Sequence, residues 1–239
     1  MSLDHLTAEA SRRLSEAAER HSPATFASSF GAEDMVILDL IHRLGLAIDI
    51  FTLDTGRLHP ETHELIARAQ QVYRLPVRVL SPDPVELEPF VTQHGVNAFY
   101  DGIELRKRCC AIRKLGPLRR ALQGKALWIT GLRREQSVTR TDVEVLAFDQ
   151  ANGLLKLNPL AEWTEADVWA YVHRYDVPIN ALHQRGYPSI GCAPCTRAIE
   201  PGEDARAGRW WWEQPASKEC GLHVDESGRL VRSKATAEA

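Results

Sequence analysis

Ala24-Thr25-Phe26-Ala27-Ser28-Ser29-Phe30-Gly31-Ala32-Glu33-Asp34 joins a short β-prone run, residues 24–28, to a polar glycine-bearing turn, and residues 35–44 continue it as an apolar helical pattern. Strand, loop and helix in that order make the βα unit of a parallel sheet. The unit recurs. Residues 47–53 read as a strand, Asp54-Thr55-Gly56-Arg57 as a loop, residues 60–73 as a helix and residues 77–80 as a third strand. After the punctuation of Ser81-Pro82-Asp83-Pro84, a basic helix from about residue 110 to 122 leads to a fourth strand at 126–130. The pattern predicts an α/β protein built on an open, mostly parallel sheet flanked by helices, with ligands at the carboxyl ends of the strands. Residues 28–34, 54–57 and 131–140 then share one rim.

Working outward, residues 3–18 form an amphipathic opening helix, and 143–148 with 154–157 form a hairpin around Asp149-Gln150-Ala151-Asn152-Gly153. Residues 164–175 form a helix capped by Thr164. Beyond Cys195 the pattern weakens: residues 202–209 are small and charged, Trp210-Trp211-Trp212 is an unusual aromatic run, and 224–239 have little to bury. The expected organisation is one domain over 1–200 and a mobile C-terminal tail over 201–239. At 239 residues with 44% hydrophobic content the chain supports one sizeable core. It has no run of eighteen apolar residues and no basic-then-apolar leader, so it reads as soluble and cytoplasmic, without a membrane partner. A net charge of −3 offers nucleic acid no bulk attraction, while Arg106-Lys107-Arg108, Arg113-Lys114, Arg119-Arg120 and Arg133-Arg134 point to a local anion site.

Five cysteines divide into two close pairs and one outlier. Cys109-Cys110 and Cys192-Ala193-Pro194-Cys195 supply four thiols of the kind that surround zinc or an iron–sulfur cluster, and Cys220 stands alone in Lys-Glu-Cys-Gly-Leu-His. Adjacent side chains diverge by roughly 100° on a helix and 180° on a strand, so joint ligation by Cys109 and Cys110 calls for a turn or a helix end. The bland alternative, two small buried hydrophobes, sits poorly with Arg108 and Arg113 alongside. Lys114, four residues after Cys110, falls on the same helical face, where it is either a solvated lysine or a cation between the thiols and an anionic substrate. His173, His183 and His223 have no hydrolase spacing.

Taken together these segments resemble the assimilatory adenylylsulfate (APS) and phosphoadenylylsulfate (PAPS) reductase family, in its cluster-bearing, APS-using branch. The likeness runs through residues 28–34, 53–57, 107–118, 131–140, 163–169, 186–197 and 218–223. Leu132 and the run Lys114-Leu115-Gly116-Pro117-Leu118 depart from the more familiar pattern. The resemblance implies an adenine nucleotide α-hydrolase-like fold of the PP-loop type. Ser28, Ser29, Phe30 and Gly31 would belong to its modified phosphate loop, and Asp54, Thr55, Gly56 and Arg57 to a nucleotide-contacting loop. Arg133 stands on the same rim, and Lys114, Arg140, Arg206 and Arg209 would face the phosphosulfate. It further implies a [4Fe–4S] cluster on Cys109, Cys110, Cys192 and Cys195, and Cys220 as nucleophile. The implied reaction is thioredoxin-dependent reduction of APS to sulfite and AMP through a cysteine S-sulfonate, in sulfate assimilation and cysteine biosynthesis. The alternatives are a PAPS-using reductase, a PP-loop tRNA-thiolating enzyme and a zinc-stabilised binding module; a homo-oligomer is compatible with all of them.

Overall fold

The structure is a computed structural model that describes residues 1–136 and 143–213. Six strands, β1 (Ala24–Ala27), β2 (Asp49–Leu53), β3 (Val77–Leu80), β4 (Leu127–Ile129), β5 (Leu146–Asp149) and β6 (Leu154–Leu157), form one sheet in the order β3-β2-β1-β4-β6-β5. All pairings are parallel except the β5–β6 hairpin, as the sequence predicts. The chain fills β1, β2 and β3 on one side of β1, then returns to place β4 on the other. The loops leaving β1 and β4 diverge there, opening a crevice beyond the carboxyl ends of the strands.

The helices are α1 (Leu3–Arg20), α2 (Ala32–Leu44), α3 (Pro60–Tyr73), α4 (Pro84–His94), α5 (Ile103–Cys110), α6 (Gly116–Leu122) and α7 (Glu165–Tyr175). A π-helical turn, Ala111–Leu115, joins α5 to α6, so the basic helix starts at Ile103 rather than near residue 110. Helix α2 is apolar on nearly every side, which requires burial all round. It packs in the main core with Leu6, Leu14, Val168 and Tyr171 of α1 and α7. Its one inward acid away from the rim, Asp39, is satisfied by Arg43 at 2.6 Å and the Tyr171 hydroxyl at 2.7 Å. Thr164 caps α7 in a reciprocal pair with Asp167, as its sequence announces. Helix α4 goes unmarked in the sequence because Pro84 and Pro89 resemble breakers. Pro84 instead takes the first helical turn, where its missing N–H costs nothing, behind an Asp83 cap on the Val85 amide. Among the described residues no helix is long and apolar enough to cross a membrane.

Candidate active site

The crevice is a cavity of about 320 Å³ at the carboxyl ends of β1, β2 and β4. One wall is the loop after β1. Ser28, Ser29, Gly31, Glu33 and Asp34 line it, with Gly131 and Arg133 of the loop after β4 facing them. The amides of Ser29, Phe30 and Gly31 are taken by the loop's own side chains. Ser29 N–H and Oγ–H both donate to Asp34 Oδ2, at 2.6 and 2.7 Å, Phe30 N–H donates to Ser28 Oγ at 3.2 Å, and Gly31 N–H to Ser29 Oγ at 3.4 Å. Asp34 is 6% exposed and also accepts from the Gly131 amide. Burial pushes its pKa up to about 6, with the Ser29 and Gly131 donors pulling the other way. A Cβ at Gly131 would stand 2.2 Å from Asp34 Oδ1, so only glycine lets the two loops meet. Arg133 is likewise committed, to Glu33 at 2.8 Å and Glu135 at 3.3 Å.

The opposite end of the cavity is cationic and thiol-lined. Lys114, Arg206, Arg209, Trp210 and Cys192 lie there. Trp210 is buried and its ring is flanked by Arg209 at 4.8 Å, Arg106 at 4.9 Å and Lys114 at 5.9 Å from the centroid. Arg209 lies against bare backbone, since a Cβ at Gly191 would be 2.4 Å from its Nη2.

Behind this end, Cys110, Cys192 and Cys195 are buried and Cys109 half-buried in one cluster with Phe99, Trp210 and Trp212. None of the four is in a disulfide. The two sequence pairs come from different directions, one at the junction of α5 with the π turn and one on the short turn Ala193–Cys195. Burial, then the neighbouring Cys192, pushes the Cys195 thiol up to about 12, while Lys114 and Arg209 pull it down. Burial also raises Cys109, against the pull of Arg113. Thr55 Oγ1 lies 3.3 Å from Cys192 Sγ, and Arg113 donates to the Thr55 carbonyl at 2.6 Å, tying the loop after β2 to the cysteines. Among the described residues no three His, Cys, Asp or Glu side chains are arranged to hold a single metal ion.

Not every residue picked from the sequence reaches the cavity. Phe30 packs into the core with φ +59°. Asp54 accepts from the Gly56 amide and pairs with His63, and Arg57 reaches Asn97 and stacks over Phe99, so Thr55 is the loop's cavity residue. Gly56, at φ +68°, leaves room for Arg113. Lys114 sits within the π turn rather than a regular α turn from Cys110. Arg140, Cys220 and His223 lie outside the described residues. Trp210 has no role in the sequence reading, although the triple tryptophan was its signal, and neither Trp169, within the resembling segment 163–169, nor His183, weighed only for hydrolase spacing, was placed in the cavity. Both line the cavity, and His183 is held neutral by burial, with Nδ1 2.9 Å from the Tyr187 carbonyl.

Fold and site together define an α/β protein with a cavity at the carboxyl ends of its strands that ends in cations and thiols. The phosphoadenosine phosphosulfate reductase domain matches residues 23–198. Relatives include the adenosine 5'-phosphosulfate reductases of Burkholderia cepacia, 55% identical over 88% of this chain and 84% of that protein, and of Allochromatium vinosum, 53% identical over 89% and 83%. Among solved structures, the phosphoadenylyl-sulfate reductase of Candida auris superposes with a TM-score of 0.68 at 27% identity, covering 82% of this chain and 96% of that one. The FMN adenylyltransferase of Candida glabrata shares the fold, with a TM-score of 0.59 at 14% identity and coverage of 99% and 77%. The chain belongs to the phosphoadenosine phosphosulfate reductase family and is an oxidoreductase acting on a sulfur group.

Proposed function

We propose that this enzyme reduces APS to sulfite and AMP, with a dithiol protein of the thioredoxin class as electron donor. The observation that carries the reading is the polarity of the cavity. Its β1 wall has Ser28, Ser29 and Asp34 bonded among themselves at the mouth of α2, while its far end gathers Lys114, Arg206 and Arg209 next to the thiols. An adenosine moiety over the β1 and β2 loops would direct its phosphosulfate toward those cations. The names carried by relatives at 53–55% identity favour APS over PAPS as substrate.

In the proposed reaction the Cys220 thiolate attacks the sulfate sulfur, the bond from sulfur to the bridging phosphate oxygen breaks, and AMP leaves with that electron pair. Cys220 then carries an S-sulfonate. A thiolate of the reductant attacks the Cys220 sulfur and displaces sulfite, and its second thiol resolves the mixed disulfide, supplying the two electrons. Lys114, Arg206 and Arg209 stabilise charge growing on the leaving phosphate.

Four soft thiol donors gathered in one buried cluster suit a group with thiolate ligands such as [4Fe–4S]. Cys109, Cys110, Cys192 and Cys195 would hold it, and when bound it would add a fixed charge distribution beside the cations. Burial raises two of these thiols when protonated, so binding would have to displace their protons. The test of function is anaerobic turnover with APS and, separately, PAPS in the presence of reduced thioredoxin. Sulfite release from APS is expected, and sulfite from PAPS alone would reassign the substrate.

A further inference from the structure

Residues 205–213 form a strap across the cavity's cationic end. Ala205, Arg206, Arg209 and Trp210 line the cavity from it. Main-chain bonds lace it to the Cys192–Cys195 turn: Arg197 N–H donates to Gly208 O, and Trp210 N–H to Cys195 O, both at 3.0 Å. At its far end Glu213 makes a two-pronged ion pair with Arg106 of α5, Nε to Oε1 and Nη2 to Oε2, each at 2.8 Å. The two side chains are only 1% and 4% exposed, and the Arg106 guanidinium lies over Trp210. A doubly bonded pair withdrawn this far from water is costly to assemble and costlier to break, because one charge is then left buried without the other.

We propose that Arg106 and Glu213 are positioning residues that latch the strap, and with it Arg206 and Arg209, onto the helix bearing Cys109 and Cys110. One consequence rests on the proposed function. Cys220 lies seven residues beyond Glu213, within about 25 Å at full extension, so the latch also fixes the point from which the nucleophile is tethered. Loss of the latch frees Arg209 to turn away from the phosphosulfate, and that lost contact is what would slow sulfonation.

The experiment uses the full-length, iron-replete enzyme with Glu213→Gln, Glu213→Asp and Arg106→Lys. Three quantities are read: tryptic cleavage after Arg209, AMP affinity, and single-turnover sulfonation of Cys220 by APS. Glu213→Gln is expected to speed cleavage after Arg209 at least tenfold and slow sulfonation at least tenfold, with AMP affinity within twofold. Glu213→Asp, which keeps the carboxylate, should recover both to within about threefold. Should Glu213→Gln fail to bind AMP and so prove misfolded, Arg106→Lys decides by the same readings, since it keeps the charge and loses the fork. Wild-type resistance to trypsin together with wild-type sulfonation in the deciding variant overturns the latch. If wild-type Cys220 is never sulfonated while the cleavage pattern follows the variants, the latch stands and the nucleophile must be reassigned.

Discussion

Gly191→Ala tests the cationic end of the cavity without touching a charge. The added Cβ would lie 2.4, 2.6 and 3.1 Å from Nη2, Cζ and Nε of Arg209, so the whole guanidinium must withdraw. It has little freedom to do so: Arg209 is 8% exposed, its face lies against Trp210, and its Nη1 reaches Ser189 Oγ at 3.2 Å. If Arg209 contacts the phosphosulfate as proposed, one charge-assisted contact is lost, about 1.5–3 kcal/mol. That corresponds to roughly ten- to a hundredfold in kcat/KM for APS. The assay is sulfite release under anaerobic conditions, with iron content measured on the same sample because Cys192 is the next residue. The double variant Gly191→Ala/Arg209→Ala separates this from general disturbance, since two substitutions that remove one interaction do not add. Wild-type kcat/KM in Gly191→Ala, or full additivity in the double variant, would refute the reasoning.

Lys114→Ala should lower APS turnover about ten- to a hundredfold while sparing AMP affinity, by the same contact arithmetic; equal loss in both places the lysine at the nucleoside instead. Cys220→Ser should retain the iron chromophore but take up no sulfonate mass from APS, whereas Ser at Cys109, Cys110, Cys192 or Cys195 should lose iron; iron retained in the Cys109 and Cys110 variants would remove the vicinal pair from the ligand set. Asp34 makes a pH prediction. Because folding raises its pKa from 3.8 to about 6, the native state holds the proton more tightly, so this group's contribution to stability falls as pH rises from about 4 to above 6. The span is roughly 3 kcal/mol, read as the difference in urea unfolding free energy between wild type and Asp34→Asn across that range, and a flat difference would show that Asp34 titrates normally.

The parallel sheet was legible because β-prone runs and helical runs alternate with little ambiguity, and α3 matches its predicted limits residue for residue. What the sequence hid were contacts made by residues of the wrong apparent character. Arg106 was read as part of a basic run marking an anion site, yet it is fully buried and paired with Glu213, and with it the true start of the cysteine helix was obscured. The loop after β1 has the composition of a phosphate cradle, but composition does not say that Asp34 turns back to take the amides. Asp54 bonds the Gly56 amide because a short polar side chain in a turn bonds locally when it can, whereas Arg57 is drawn off by Phe99 and by Asn97, forty residues along the chain. Trp210 was conspicuous as a residue and silent as to role, because its place between three cations depends on contacts more than ninety residues apart in the chain.

The π turn at Ala111–Leu115 gives the cysteine helix a change of phase. A π turn is an α-helix with one residue too many, and each residue of an α-helix turns the following side chains by about 100°. The angle between the thiol pair and the cations Arg113 and Lys114 is therefore set by the count of residues rather than by their identity. Deleting one residue between Cys110 and Lys114 would favour ordinary α winding and change where the ammonium stands relative to the cysteines. Here regular winding and the working arrangement are alternatives, and the chain has kept the less regular of the two.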